Sequence, residues 1–302
     1  MPSFRNSADK AEKAARETFE NNTSKSLGTV RNVKAGLTRF DEYLKREKAG
    51  FLEDFKTSPL TMDQRGIVKD FLEYRATKDL TQSTIDNDRQ SIQRMTRERF
   101  ERVQAKQSRG EKAEHIRVYT REQTQEIVER QSDRNALATE IASYSGLRAE
   151  ELLTIARPNE QPAHIRDCAS QRWSEHRFAN REGTVYTVQG KGGLIREVLI
   201  SKQLSDRLEE RRLEFSERSI DRGILHEQRY DLGGGQAWSQ SFSSASSRWL
   251  GFSHGAHGLR HTFCSDRMDE LKQAGFSRED AVGIIAQEMG HFRSKITECY
   301  IR

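Results

Sequence analysis

Residues 257–302 read HGLRHTFCSDRMDELKQAGFSREDAVGIIAQEMGHFRSKITECYIR. In order, they carry His257, Arg260, His291 and Tyr300, four side chains able to hold a phosphate or move a proton. His257 stands three residues before Arg260 at what reads as a helix start, so both can project to one side. Gly290 closes the apolar pattern of 278–289, and a glycine there can end the helix and turn His291 inward. Tyr300 is a candidate nucleophile only with help. An unperturbed tyrosine has a pKa near 10, so about one in a thousand is ionised at pH 7. A base such as His257 or a strong positive field would have to draw off its proton. His261 reads as a hydrogen-bonded core histidine. Taken singly, each residue also has a bland reading: a helix cap for His257, a packing aromatic for Tyr300.

Working upstream, Ser145–Leu153 reads SGLRAEELL. The glycine breaks one helix and another begins at once, so Arg148 falls near helix N-terminal amides, which favour anions. Glu151 follows on the same turn. An arginine fork fits phosphate oxygens far better than a lysine does. Thr184–Gln189 (TVYTVQ) and Leu194–Ile200 (LIREVLI) are strand-like and flank Gly190-Lys191-Gly192-Gly193, which predicts a β-hairpin with Lys191 at its tip. Between Arg148 and the hairpin, 156–183 reads as a loop-rich insertion of unknown role. Beyond the hairpin, Ser201 caps a charged helix expected to run to about Ser219, with Leu213 and Phe215 available for burial. Gly233–Gly235 reads as a mobile loop, since no Gly-Lys-Ser/Thr follows it to cradle a nucleotide. Ser241–Leu250 reads as a short helix carrying Trp249 and Leu250 into the core.

The first third is helical in pattern. Residues 1–24 are expected to form a flexible, partly helical or frayed tail. Val30, Val33, Leu37, Phe40 and Leu44 keep a helical period, and a second helix is expected over Asp63–Thr77. A third starts after Thr81 or Ser83 and carries Ile85, Ile92, Met95, Phe100 and Val103. It also bears Arg89, Arg94 and Arg97, interleaved with Asp86, Asp88 and Glu98, a pattern compatible with a solvated face or with a helix laid on phosphates. The boundaries implied are a helical domain over 25–107, a linker over 108–118 and a second domain over 119–302. Thr120 and Gln123 mark the entry to that second domain as a capping box.

The chain has 302 residues, enough for two domains. Basic residues number 51 against 46 acidic, a formal charge of +5, and the pI near 9.1 raises the expectation of a polyanion partner. Three cysteines lack metal-like spacing, and an odd count suits a reducing compartment. His257 and His261 have the i, i+4 spacing of some zinc sites, but a metalloprotease-like motif needs a glutamate where Gly258 stands. No metal is expected. No apolar run approaches a membrane span, and the start of the chain lacks a signal-like apolar stretch.

Arg148 in SGLRAEELL, Lys191 in GKGG, His257 and Arg260 in HGLRH, His291 after Gly290, and Tyr300 occur in the order of the tyrosine recombinase (phage integrase) family, which the chain resembles over most of its length. Met289 stands where the family usually has leucine, a volume-conserving change. The resemblance implies a mainly α fold with a small β-sheet or hairpin, built as a two-domain clamp of a helical core-binding domain and an α+β catalytic domain. It implies that Arg148, Lys191, His257, Arg260, His291 and Tyr300 are catalytic and that Arg89, Arg94, Arg97 and Lys191 contact DNA. Tyr300 would form a 3′-phosphotyrosyl bond, Arg148 and Arg260 would grip the phosphate, His257 would take the tyrosine proton, His291 would donate to a phosphate oxygen, and Lys191 would protonate the 5′-hydroxyl. No cofactor is expected, because the phosphotyrosine retains the bond energy. The expected partner is double-stranded DNA, with a homotetramer on paired sites and accessory DNA-bending proteins, in a cytoplasmic, nucleoid-associated setting as an integrase of a mobile element. Only two residues follow Tyr300, so subunits are expected to meet without the C-terminal helix that many relatives use. A type IB topoisomerase-like or resolving enzyme, or an inactive DNA-binding relative, stands as the alternative.

Overall fold

The computed structural model describes residues 6–19, 27–105, 117–165, 172–190, 192–291, 297–298 and 300. The chain is mostly helical with small antiparallel sheets, and it divides into two compact units, Met1–His115 and Ile116–Arg302. Cys168, Cys299, Lys191 and nearly all of the expected linker lie outside the described residues.

In the first unit, α1 (Ser7–Phe19), α2 (Leu27–Glu47), α3 (Met62–Ala76) and α4 (Gln82–Thr96) surround one apolar core. Phe40 of α2 meets Phe55 edge-on at 5.1 Å and Phe71 of α3 at 5.1 Å. Two expectations change here. Residues 7–19, expected within a flexible, partly helical or frayed tail, form a continuous helix packed on the first unit, because Ala11, Ala14 and Ala15 present a small apolar stripe that is buried with α2. The third helix ends at Thr96, not near Val103. Arg97 takes the left-handed conformation at φ 58°, and Phe100 and Val103 pack against the core from chain beyond the helix. Asp88, fully buried on α4, accepts from Arg39 of α2 at 2.9 Å and Arg75 of α3 at 2.8 Å, tying three helices to one carboxylate.

The second unit opens on α5 (Arg121–Val128), where Thr120 and Gln123 exchange the two hydrogen bonds of the capping box read from the sequence. α6 (Asp133–Ser145) follows. β1 (Thr184–Gln189) pairs antiparallel with β2 (Ile195–Ile200) in the register Gln189↔Ile195 to Thr184↔Ile200. Next come α7 (Lys202–Glu209), a second hairpin of β3 (Arg212–Asp221) and β4 (Ile224–Tyr230), then α8 (Gly235–Leu250), α9 (Gly258–Gln273) and α10 (Arg278–Glu288). Ile141, Leu152, Val188, Val198, Leu208 and Trp238 belong to one core. Phe263, Leu271 and Ile285 form another between α9 and α10.

Three further readings are corrected. The charged helix stops at Glu209, and 212–221 is a strand with Phe215 exposed. Gly233–Gly235 is bonded in place, with Gly233 N donating to Arg134 O and Gly235 N to Ala149 O. α8 begins there and buries Trp238 and Phe242, while Trp249 stays half exposed under the Arg130 guanidinium at 4.5 Å. The insertion also acquires a role. Ser174 N and Phe178 N donate to Gln287 and Glu288 of α10, and Arg181 pairs with Glu270 of α9, so this segment braces the α9–α10 pair.

Candidate active site

Arg148 is placed by the end of α6. Gly146 closes that helix in the left-handed region at φ 63°, and the chain enters a short 3-10 turn, Glu151–Thr154. Arg148 N donates to Glu151 Oε2 at 2.8 Å, and Arg148 Nη1 to Glu151 Oε1 at 2.9 Å. The carboxylate thus fixes both the backbone and the guanidinium of its neighbour. Burial pushes the Glu151 pKa up, but the charges of Arg196, Arg260 and Arg148 outweigh it and hold the group ionised below the usual carboxylate value.

Arg260 enters from the first turn of α9 and is fully buried. Its Nη1 donates to the Gly146 carbonyl. Its Nη2 lies 3.3 Å from His291 Nε2, and Arg148 Nη2 lies 2.7 Å from that same nitrogen. A guanidinium can only donate. His291 Nε2 is therefore the acceptor, which assigns the ring proton to Nδ1, 3.4 Å from Thr297 Oγ1. Burial, then the charges of Arg260 and Arg148, push the His291 pKa down to about 3. The imidazole is neutral at physiological pH, and the two guanidiniums already aim at one point.

Tyr300 Oη lies 2.9 Å from His257 Nε2. Loss of hydration, then the Arg260 charge, hold the His257 pKa down to about 4, although part of the residue still faces solvent. Neutral His257 can accept a proton from a phenol; a protonated one could not. The Tyr300 ring lies 4.7 Å from the His261 ring and 5.6 Å from that of His291, with the Arg260 guanidinium 5.6 Å from its centre. Arg148, His257, Arg260, His291 and Tyr300, scattered over 153 positions in the chain, thus meet in one place. Lys191 lies outside the described residues, between β1 and β2 in the sequence.

Sequence reasoning missed two members. His261, expected as a core histidine, is only partly buried and lies against Tyr300. Arg196 of β2 is buried and donates to Glu151 Oε2 at 3.1 Å. A signal for it was present: alternation in LIREVLI puts Arg196 on the same face as Val198 and Ile200, both in the core. Among the described residues no group of three or more His, Cys, Asp or Glu is placed to hold a metal.

The three arginines of α4 and its end differ. Arg89 folds back, donating to Gln93 Oε1 and to the Phe100 carbonyl, both at 3.0 Å. Arg94 and Arg97 are exposed, with no side-chain partner among the described residues. Both line a cavity of about 400 Å³ that Lys56 and Thr96 also line.

No family model matches the sequence, and no curated protein does. Solved structures do match. The XerH site-specific recombinase bound to palindromic difH substrate, a post-cleavage complex, superposes with a TM-score of 0.57 at 15% identity, covering 98% of this chain and 81% of that one. The Tn1549 transposon integrase in complex with transposon right end DNA gives 0.56 at 15% identity, over 97% and 94% of the two chains. A lambda integrase (75–356) dimer bound to a COC′ core site gives 0.56 at 13% identity, over 98% and 94%. The class is thus that of the site-specific recombinases and integrases in fold. More particularly, the chain has the tyrosine recombinase fold over nearly its whole length. Among the described residues no helix is long and apolar enough to cross a membrane.

Proposed function

We propose that this protein is a site-specific tyrosine recombinase that cleaves and rejoins double-stranded DNA, as the integrase of a mobile element. The observation that carries this reading is the 2.9 Å contact of Tyr300 Oη with His257 Nε2, made beside the point where Arg148 and Arg260 converge. Nucleophile, proton acceptor and two phosphate forks are the parts a transfer of a phosphodiester to a protein hydroxyl requires.

Tyr300 Oη attacks the phosphorus, and its proton passes to His257 Nε2. Arg148 and Arg260 take up the negative charge on the non-bridging oxygens. Preorganised donors of this kind are typically worth about 2.7–4 kcal/mol each. The P–O5′ bond breaks, leaving a 3′-phosphotyrosine and a 5′-hydroxyl, whose proton Lys191 is the candidate to supply. Rejoining reverses the steps with the 5′-hydroxyl of a second strand, and His257 returns its proton to Tyr300. His291, an acceptor for both guanidiniums in the free site, must release that contact and carry a proton on Nε2, by tautomer exchange or protonation, before that nitrogen can donate to a phosphate oxygen. The bond energy stays in the phosphotyrosine, so no nucleotide cofactor is needed. A homotetramer on paired sites, with accessory DNA-bending proteins, is the assembly this chemistry uses for strand exchange, in a cytoplasmic, nucleoid-associated setting.

Nicked duplexes taken from the DNA flanking its own gene provide the test. Wild-type protein should be trapped as a covalent adduct. Tyr300→Phe should bind the same duplex with unchanged affinity and give no adduct. An adduct in Tyr300→Phe defeats the assignment, and relaxation of a plasmid lacking the flanking sequence points instead to a topoisomerase-like enzyme.

A further inference from the structure

Arg196 is out of place by ordinary packing rules. It is a full guanidinium on a short strand, 1% exposed, among core residues. One nitrogen, Nη2, reaches Glu151 Oε2 at 3.1 Å. Its Nε and Nη1 groups are buried without a hydrogen-bond partner among the described residues. For stability alone, an apolar side chain of similar volume generally serves as well as a buried ion pair, and unmet buried donors make this arrangement worse.

What Arg196 touches gives the reason. Glu151 is the carboxylate that fixes Arg148, with Arg260 Nη1 3.8 Å away. Together with Arg148 N, which donates to the same oxygen, Arg196 holds Oε2 and keeps Glu151 from turning to form a closed two-pronged pair with one of the other two guanidiniums, which would neutralise a charge the phosphate needs. Two glycines lean on this same pair. A Cβ on Gly190 would stand 3.0 Å from Glu151 Oε1, and one on Gly290 would stand 2.8 Å from Arg196 Nε. Gly290 also has φ +72°, which a side chain rarely adopts. Gly190 is the residue before Lys191, and Gly290 the residue before His291. The backbone leading into two candidate groups therefore rests against the Arg196–Glu151 pair, while the third, Arg148, is bonded to it.

We infer that Arg196 is a positioning residue, forming with Glu151 a buried anchor that sets where Arg148, His291 and the β1–β2 hairpin stand relative to one another. This inference rests on the recombinase reading above. Arg196 touches no DNA; it acts through Glu151 and the two glycines.

Arg196→Met, Arg196→Gln and Arg196→Lys test it on the full chain, with the nicked duplex from the DNA flanking its gene. Affinity and the single-turnover rate of covalent capture are read separately. The Met and Gln variants should bind DNA like wild type but capture it about 10- to 100-fold more slowly, the usual cost of losing a group that orients a reacting one. The Lys variant, which keeps a cation beside Glu151, should recover part of the rate. Arg196→Met combined with Glu151→Gln should lose no more than the worse single variant, since the two act as a unit. Wild-type capture in a folded Met or Gln variant overturns the inference, as does a double variant whose losses multiply. Failure of both the Met and Gln variants to fold makes Arg196 structural and overturns it too. Absence of any adduct from wild-type protein instead sinks the recombinase reading, whatever Arg196 does.

Discussion

Two imidazoles are kept without a proton at physiological pH, and that has a consequence for single residues. The His291 pKa falls to about 3 and the His257 pKa to about 4, with lost hydration the first cause and Arg260 the next in each. In the unfolded chain both return to about 6.5. The folded values are depressed, so below about pH 6.5 the unfolded chain binds protons that the folded chain does not. Stability contributed by keeping these groups neutral is complete above about pH 6.5 and drains away as pH falls toward the folded values. For the buried His291 such a proton adds a slope of at most about 1.4 kcal/mol per pH unit, and the exposed His257 adds less because solvent screens it. His291→Gln should remove one of them: between pH 7 and pH 5, wild type should lose more stability in urea unfolding than the variant. Equal losses would mean that His291 is not held neutral by its surroundings. The residues legible in the sequence share a property with these two. Arg148, His257, Arg260 and His291 each lie beside a glycine or a helix boundary, where local chemistry marks the position. Arg196 is marked only by the strand alternation of LIREVLI and His261 only by its place one residue after Arg260; what defines both is a partner far along the chain, Glu151 in one case and Tyr300 in the other.

At the level of elements, the α9–α10 pair is what brings HGLRH and Gly290-His291 to one place, and a buried ion network holds it. Arg267 of α9, fully buried, donates through Nε and Nη2 to Glu288 of α10 at 3.0 and 2.9 Å, and through Nη1 to Glu270 at 2.9 Å. Glu288 also accepts from Phe178 N at 2.9 Å. Removing one partner of such a pair strands the other in a dry interior, at a cost of about 3–5 kcal/mol. Glu288→Ala should lower the stability of the second unit by roughly that amount in denaturant titration, and Glu288→Gln, which can still accept, should cost less. A loss under about 1 kcal/mol for the alanine variant would place the pair with solvent-screened ones. None of this was visible in a charged helix face read alone. The hairpin of β3 and β4 is hidden in the sequence for a different reason. Leu204 and Leu208 set up a helical period that Leu213 and Phe215 continue in sequence. Yet Arg222 and Gly223, at φ 52° and 80°, make a turn, and the glycine of Asp221-Arg222-Gly223 is the local signal for it. The hairpin of β1 and β2 was legible because its glycines and β-branched strands agree.

For the molecule as a whole, a formal charge of +5 from 51 basic and 46 acidic residues says little by itself, since many of those charges pair within the chain. What matters for a polyanion is which cations remain free. Asp88 absorbs Arg39 and Arg75, and Asp86 absorbs Arg102. Arg89 is spent on Gln93 and the Phe100 carbonyl. On this stretch Arg94, Arg97 and Arg99 are exposed with no side-chain partner among the described residues, and Arg94 and Arg97 line one cavity. Each phosphate neutralised by a free cation releases counterions and steepens the fall of affinity with salt, by about 0.9 in the slope of log K against log salt. Arg94→Ala and Arg97→Ala should each lower that slope by roughly one and weaken binding alike on all duplex sequences. Arg89→Ala should leave the slope where it was and act on the first unit's stability instead. Fluorescence anisotropy on the gene-flanking duplex and on an unrelated one, across a series of salt concentrations, separates the two behaviours. An unchanged slope for both Arg94→Ala and Arg97→Ala, or an equal drop for Arg89→Ala, would remove this surface from the DNA contact, because a cation already bonded within the fold has no counterion to release.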